Sequence, residues 1–178
     1  DTGDGSSVTV TAAGWQAAGL KDVRVTTAIA FGLAGPAVSG LAIVPDLRVG
    51  TMTARATEVR IEPAGGFSQA IGTAGRIGSG FLQNYRVLLD PGARRGPKAD
   101  TPPLRSTSGL LVGAEPDRLK VLHVMRGGPA EASGWKDGDM ICAIDGVPIP
   151  ADYPTSPLTS WSAGAPGRVV ALGLCDGT

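Results

Sequence analysis

Histidine occurs once and cysteine twice in this chain of 178 residues, and that scarcity removes two chemistries at the outset. A serine or cysteine nucleophile needs an imidazole base beside it. The lone His123 lies in an alternating stretch, with no Gly-x-Ser-x-Gly elbow or comparable nucleophile sequence to serve, which leaves it a structural role. Cys142 and Cys175 are too few and too far apart to suggest a zinc ligand set, so no metal and no cofactor are expected. Both fall late in the chain on predicted strands; they form a disulfide if those strands pair and remain two buried thiols otherwise. Aromatic residues make up 4% of the chain, and no apolar run approaches the about 20 residues that a membrane-spanning helix needs. No charged start followed by an apolar segment marks a secretory signal. With 16 basic residues against 16 acidic ones, nothing draws the chain to nucleic acid or to an anionic membrane surface.

What the chain has in quantity is glycine, 27 residues, and proline, 14, set among Val, Ile, Leu and Ala. That balance reads as loop-rich, mostly β structure with short helices. The length admits two small domains, each able to bury a core. Residues 11–20 suit a short helix with Thr11 as N-cap and Gly19 just past its end. Residues 23–30 and 41–44 are extended on either side of a small-residue tip with Gly32, Gly35 and Pro36, which gives a hairpin. Residues 47–50 and 51–62 supply two more strands, the second alternating up to Val59 and Ile61. Residues 75–90 read as strand, glycine turn, one or two helical turns, and strand.

Hydrophobic periodicity then gives way to Gly, Pro, Arg and Lys, a linker in which Arg94-Arg95 is solvated charge. Beyond it come a glycine turn feeding a strand at residues 109–113, a strand at 118–125, and a very short helix with Pro129 near its first position. A strand at 140–147 closes on Asp145-Gly146, a helix opens at Pro157 with Ser156 or Thr155 as its cap, and a last strand covers 168–175.

The first three residues are Asp1-Thr2-Gly3. A carboxylate that activates water must sit in a tight, hydrogen-bonded turn, where a glycine lets backbone approach and a hydroxyl can brace the loop. The same triplet is also ordinary turn chemistry. Its meaning comes from order: the triplet, the tip at residues 32–35, and the Ile77-Gly78 turn leading into Phe81-Leu82 and Val87-Leu88-Leu89-Asp90 follow one another as in a retropepsin-like aspartic peptidase. Over residues 1–95 the chain resembles that family. The resemblance implies a closed β-barrel-type domain in which Asp1 is the catalytic aspartate, with Thr2 tying the two catalytic loops together and Gly3 completing the turn. Gly32, Leu33, Ala34 and Gly35 would form a flap over a bound polypeptide.

Peptide hydrolysis by this route needs two close carboxylates that cannot both be ionised. No second Asp-Thr-Gly or Asp-Ser-Gly occurs, so the resemblance implies a homodimer with one Asp1 from each subunit, titrating as a unit. Two departures stand out. Asp4 occupies a place where the family usually carries a small neutral residue, and it is expected to raise the cost of charging the pair. The family's strands ahead of the triplet have no counterpart here, so these residues alone are expected to be inactive. An α-amino group on Asp1 would also set a positive charge beside its carboxylate.

After the linker, placed at residues 96–107, residues 108–178 resemble a PDZ domain, a small β-sandwich with two short helices. The motifs are Gly109-Leu110-Leu111-Val112, Gly128-Pro129-Ala130 with Gly134, Asp137-Gly138-Asp139-Met140-Ile141, and Ile144-Asp145-Gly146. The resemblance implies that Gly109, Leu110, Leu111 and Val112 receive a carboxylate and add a peptide strand. Leu158 and Trp161 either wall that groove or are core contacts of the same helix. The expected whole is an aspartic endopeptidase whose PDZ domain positions its polypeptide substrate. The alternatives are a non-catalytic peptide-binding protein acting through the groove and a purely structural β protein. Paired cysteines would favour an oxidising compartment, periplasmic or secreted.

Overall fold

The computed structural model describes residues 1–32, 35–50, 52–85 and 106–175. The chain is mostly β and divides into two units, Asp1–Val25 with Val38–Pro103, and Thr26–Ala37 with Leu104–Thr178. The tip that carries Gly32 and Gly35 therefore groups with the second unit. Leu33 and Ala34, the strand expected at residues 87–90 and most of the expected linker lie outside the described residues.

One sheet has the order β2-β3-β4-β1-β5, built from β1 (Val8–Thr11), β2 (Val25–Gly32), β3 (Gly35–Val49), β4 (Met52–Glu62) and β5 (Gly75–Ile77). β1 is its hub, parallel to β4 and antiparallel to β5, so that Thr9 stands between Arg60 and Arg76 and Val8 between Val59 and Ile77. Strict alternation in Val-Thr-Val-Thr then divides the sheet's two faces. Val8 packs with Val44, Val59 and Phe81 in an apolar core. Thr9 and Thr11 are equally buried, but on the face that carries Glu62 and Arg76.

Local signals explain the elements. Thr11 Oγ1 accepts the Gly14 amide at 3.0 Å and caps the helix α1 (Ala12–Ala17), and Gly19, at φ +66°, lies beyond its end. Residues 41–44 and 47–50, read as separate strands, are one, since β3 runs on through Pro45. The register continues from Val44↔Thr57 to Asp46↔Arg55 past Pro45, whose nitrogen has no hydrogen to donate, with Ala56 at φ 48° on the neighbouring strand. After β4 come two four-residue helices, α2 (Phe67–Ala70) and α3 (Ser79–Leu82).

The expected closed barrel is not formed: neither sheet closes among the described residues. Closure requires the terminal strands of a sheet to pair. Here β5 has three residues and turns at once into α3, so it cannot return a ladder to β2.

Residues 106–175 hold one sheet, β10-β8-β7-β6, from β6 (Leu110–Glu115), β7 (Arg118–Val124), β8 (Met140–Ile144) and β10 (Leu172–Leu174), with β9 (Val147–Pro148) paired to β8. It is a single sheet where two facing ones were expected among these residues. β7 alternates Leu119, Val121 and His123 inward, against Ile141, Ile144 and Tyr153. Asp145 and Gly146 join β8 to β9 with φ of 49° and 79°, the double positive φ that a two-residue hairpin of this twist requires. The helix α4 (Pro129–Ala132) has proline at its start, as read. Pro157–Ser162 is capped by Ser156 but winds as a 3-10 helix, and the last strand is shorter than residues 168–175. Antiparallel pairing of β10 with β8 brings Cys142 and Cys175 together, and they form a disulfide.

Candidate functional site

The Asp1-Thr2-Gly3 turn is locked against the turn that follows β5. The Asp1 backbone nitrogen donates to Ile77 O at 2.8 Å, while Ser79 N donates to Asp4 O (2.7 Å), Gly78 N to Ser7 O (2.9 Å) and Gly80 N to Ser6 O (3.1 Å). Such interlocking needs residues without side chains. A methyl on Gly78 would lie on the Ser6 carbonyl oxygen, and one on Gly80 would sit 2.6 Å from the Gly5 carbonyl oxygen. Within its own turn, Asp1 Oδ1 accepts the Gly3 amide at 3.1 Å, an Asx turn. The Asp1 carboxylate stays 38% exposed. Thr2 is exposed too, and its hydroxyl makes no hydrogen bond among the described residues.

Beneath this turn is a charge cluster that sequence reasoning did not assemble. Arg76 Nε donates to Asp4 Oδ2 at 2.5 Å, and its Nη1 donates to Glu62 Oε1 at 2.5 Å and to Ser68 Oγ at 2.7 Å. Asp1 Oδ2 lies 3.7 Å from the same Nε. The other oxygens are satisfied as well: Asp4 Oδ1 accepts the Ser6 hydroxyl (2.6 Å) and amide (2.9 Å), and Glu62 Oε2 accepts the Ser68 amide (2.9 Å). Phe67 stands over the guanidinium, its ring centroid 5.3 Å from Cζ. Burial opposes ionisation of Asp4, but the bonds from Ser6 and Arg76 outweigh it and bring the pKa down to about 2. Burial also opposes ionisation of Glu62, and bonds from Arg76 and Ser68 hold it below the usual carboxylate value. Asp4 is thus paired with Arg76, but it shares that one cation with Glu62. The signal available in the sequence was a lone arginine in the short strand before Ile77-Gly78.

In the second unit the expected groove residues diverge. β6 is an edge strand whose outer side is unpaired among the described residues, and Leu111 on it is 38% exposed. Gly109, at φ +77°, turns the chain into it, but the Leu110 amide already donates to Ser108 Oγ at 3.1 Å. Leu110 and Trp161 are buried in the core, and Val112 and Leu158 pack partly buried against it. Trp161 Nε1 donates to the Tyr153 hydroxyl at 2.8 Å, and burial pushes the Tyr153 pKa up against that bond. Of the six expected residues, Leu110 and Trp161 border an open cleft of about 240 Å³, together with Ser108, Ala130, Trp135 and Leu172.

His123 accepts or donates a 2.9 Å bond with Thr27 Oγ1, and its Nδ1 lies 3.9 Å from Asp137 Oδ2. The residue types resemble a nucleophile–base–acid row, but 3.9 Å is too long for the hydrogen bond that would orient the ring. Thr27 Oγ1 also accepts the Arg126 amide, and Thr26 Oγ1 donates to Arg126 O, so the row fastens strand to loop. Among the described residues no three His, Cys, Asp or Glu side chains are placed to hold a metal ion, and no helix is long and apolar enough to cross a membrane. The chain matches no protein-family model, no curated protein and no solved structure.

Proposed function

We propose that this chain supplies one half of an aspartic endopeptidase, two copies bringing their Asp1 carboxylates together about a twofold axis. The observation that carries the reading is the interlocked turn. The Asp1 nitrogen bonds Ile77 O and the Ser79 amide bonds Asp4 O, which pins the turn that bears Asp1, while its carboxylate remains open to a second copy. Two such groups at close range share one proton. The ionised carboxylate takes a proton from water as the water oxygen attacks the scissile carbonyl carbon, and the protonated one donates to the carbonyl oxygen. Collapse of the tetrahedral species breaks the C–N bond, and a proton passes to the leaving nitrogen.

The test uses the longest natural chain that contains these residues. It should cleave a denatured protein at mildly acidic pH, be blocked by a statine-type inhibitor, and lose activity on Asp1→Asn. Equal cleavage by that variant would remove the peptidase reading.

A second reading is favoured by the free edge of β6: a non-catalytic protein that binds an extended peptide by strand addition. In the combined form of the proposal, that edge positions the polypeptide to be cut. Selective capture of carboxyl-terminal peptides with no hydrolysis would decide for the second reading. The Cys142–Cys175 disulfide supports an oxidising compartment, periplasmic or secreted, for either.

A further inference from the structure

We infer that Arg76 is a positioning residue for Asp1, a single cation shared by three carboxylates that sets the charge state of the exposed one. The inference rests on the reading of Asp1 as the catalytic carboxylate. Its basis is a geometric hierarchy. Asp4 and Glu62 are mostly buried and each takes a 2.5 Å bond from the guanidinium, whereas Asp1 is more exposed and lies 3.7 Å away, outside direct hydrogen-bond reach. The two inner carboxylates hold the arginine in place, and Asp1 feels what is left of its charge.

The charged groups around Asp1 are Arg76 on β5, Asp4 on its own turn, Glu62 behind Arg76 at the end of β4, and the Asp1 amino nitrogen, which is bound to Ile77 O; Arg60 on β4 shares that sheet face across Thr9. Charge separations of this size move carboxylate titrations. Removing the cation leaves two anions next to Asp1 and must make it harder to ionise. Removing the Asp4 carboxylate leaves the cation less neutralised and must make Asp1 easier to ionise. Opposite signs from two substitutions in one cluster distinguish electrostatic control from loosened structure, since a disordered turn would move Asp1 toward an ordinary aspartate in both. In a dimer each Asp1 would bring its own Arg76 together with Asp4 and Glu62, so loss of the arginine in both copies would tighten the pair's hold on its shared proton.

The experiment is a carboxyl-carbon NMR titration of Asp1 in the full chain, its signal assigned by loss in Asp1→Asn. Arg76→Met should raise the Asp1 midpoint by about one pH unit, Arg76→Lys should raise it less, and Asp4→Asn should lower it. Should Arg76→Met fail to fold, the Arg76→Lys and Asp4→Asn pair still carries the opposite signs. An unmoved midpoint, or movement of all variants in one direction, overturns the inference. The titration is read whether or not the protein hydrolyses peptide. The expected shifts without hydrolysis would support this coupling and remove the peptidase reading, while hydrolysis with an unmoved midpoint would do the reverse.

Discussion

Acid should weaken the first unit through one identifiable carboxylate, and the effect can be worked from the geometry around Asp4. The group is 15% exposed, and bonds from Ser6 and Arg76 place its pKa at about 2 against 3.8 for an ordinary aspartate. A depressed carboxylate pKa stabilises the folded state at pH values above the unfolded pKa, and that contribution is lost as pH falls through the folded value. At 1.36 kcal/mol per pH unit, ionised Asp4 contributes about 2 kcal/mol from neutrality down to about pH 4. At pH 2 about half a kcal/mol or less remains. The assay is urea unfolding of wild type and Asp4→Asn, followed at the Val8, Thr9 and Val10 amide resonances, which report the first unit alone. Whatever the asparagine itself costs, the stability difference between the two proteins should shrink by about 2 kcal/mol between pH 5 and pH 2. A difference constant across that range would refute the account of Asp4 as a buried, arginine-paired anion.

Further perturbations probe the other supports of the fold. Arg76→Met should destabilise the first unit by about 3 kcal/mol at neutral pH because it strands two buried carboxylates, and urea titrations should show that penalty shrinking in acid as Asp4 and Glu62 take up protons. Replacing Cys142 and Cys175 by alanine removes a bridge spanning 33 residues, a loop whose closure is worth about 3–4 kcal/mol, and should lower the second unit's denaturation midpoint accordingly. Leu119→Ala, at a fully buried site opposite Ile141, should cost about 3–4 kcal/mol by calorimetry or urea unfolding. Gly78→Ala should disrupt the turn under Asp1, and loss of amide protection at Gly80 and Ser79, with the β1 core still protected, would be its signature in hydrogen exchange.

Much of the local structure was legible because its causes are local. Thr11, Gly19, Pro129, Ser156 and the Asp145-Gly146 pair each act on neighbouring backbone, and each does in the structure what its chemistry suggests. Alternation likewise marked β7 and gave His123 an inward, structural place. The errors fell where a residue's effect depends on a distant strand. Residues 41–44 and 47–50 read as two strands, but a proline costs a sheet only the one bond its nitrogen would have made, and β3 continues through Pro45. Whether a sheet closes depends on partners for its terminal strands, which no periodicity within a strand encodes.

The charge cluster shows the same limit at the scale of function. Asp4, Glu62, Ser68 and Arg76 are spread over more than seventy residues, and each alone is an ordinary polar residue in a turn or strand. Only the register of β1 between β4 and β5 sets Thr9 opposite Arg76 and Thr11 opposite Glu62, and so turns one face of the sheet into a buried ionic seam while the other face packs valines. Val-Thr-Val-Thr hinted at this, since threonine at every second position of a central strand buries a polar row that must find partners. The threonines are compatible with the seam because Thr9 shares hydrogen bonds with Ser6 and, at 3.4 Å, Asp4, which ties the turn that bears Asp1 to the strand that anchors it.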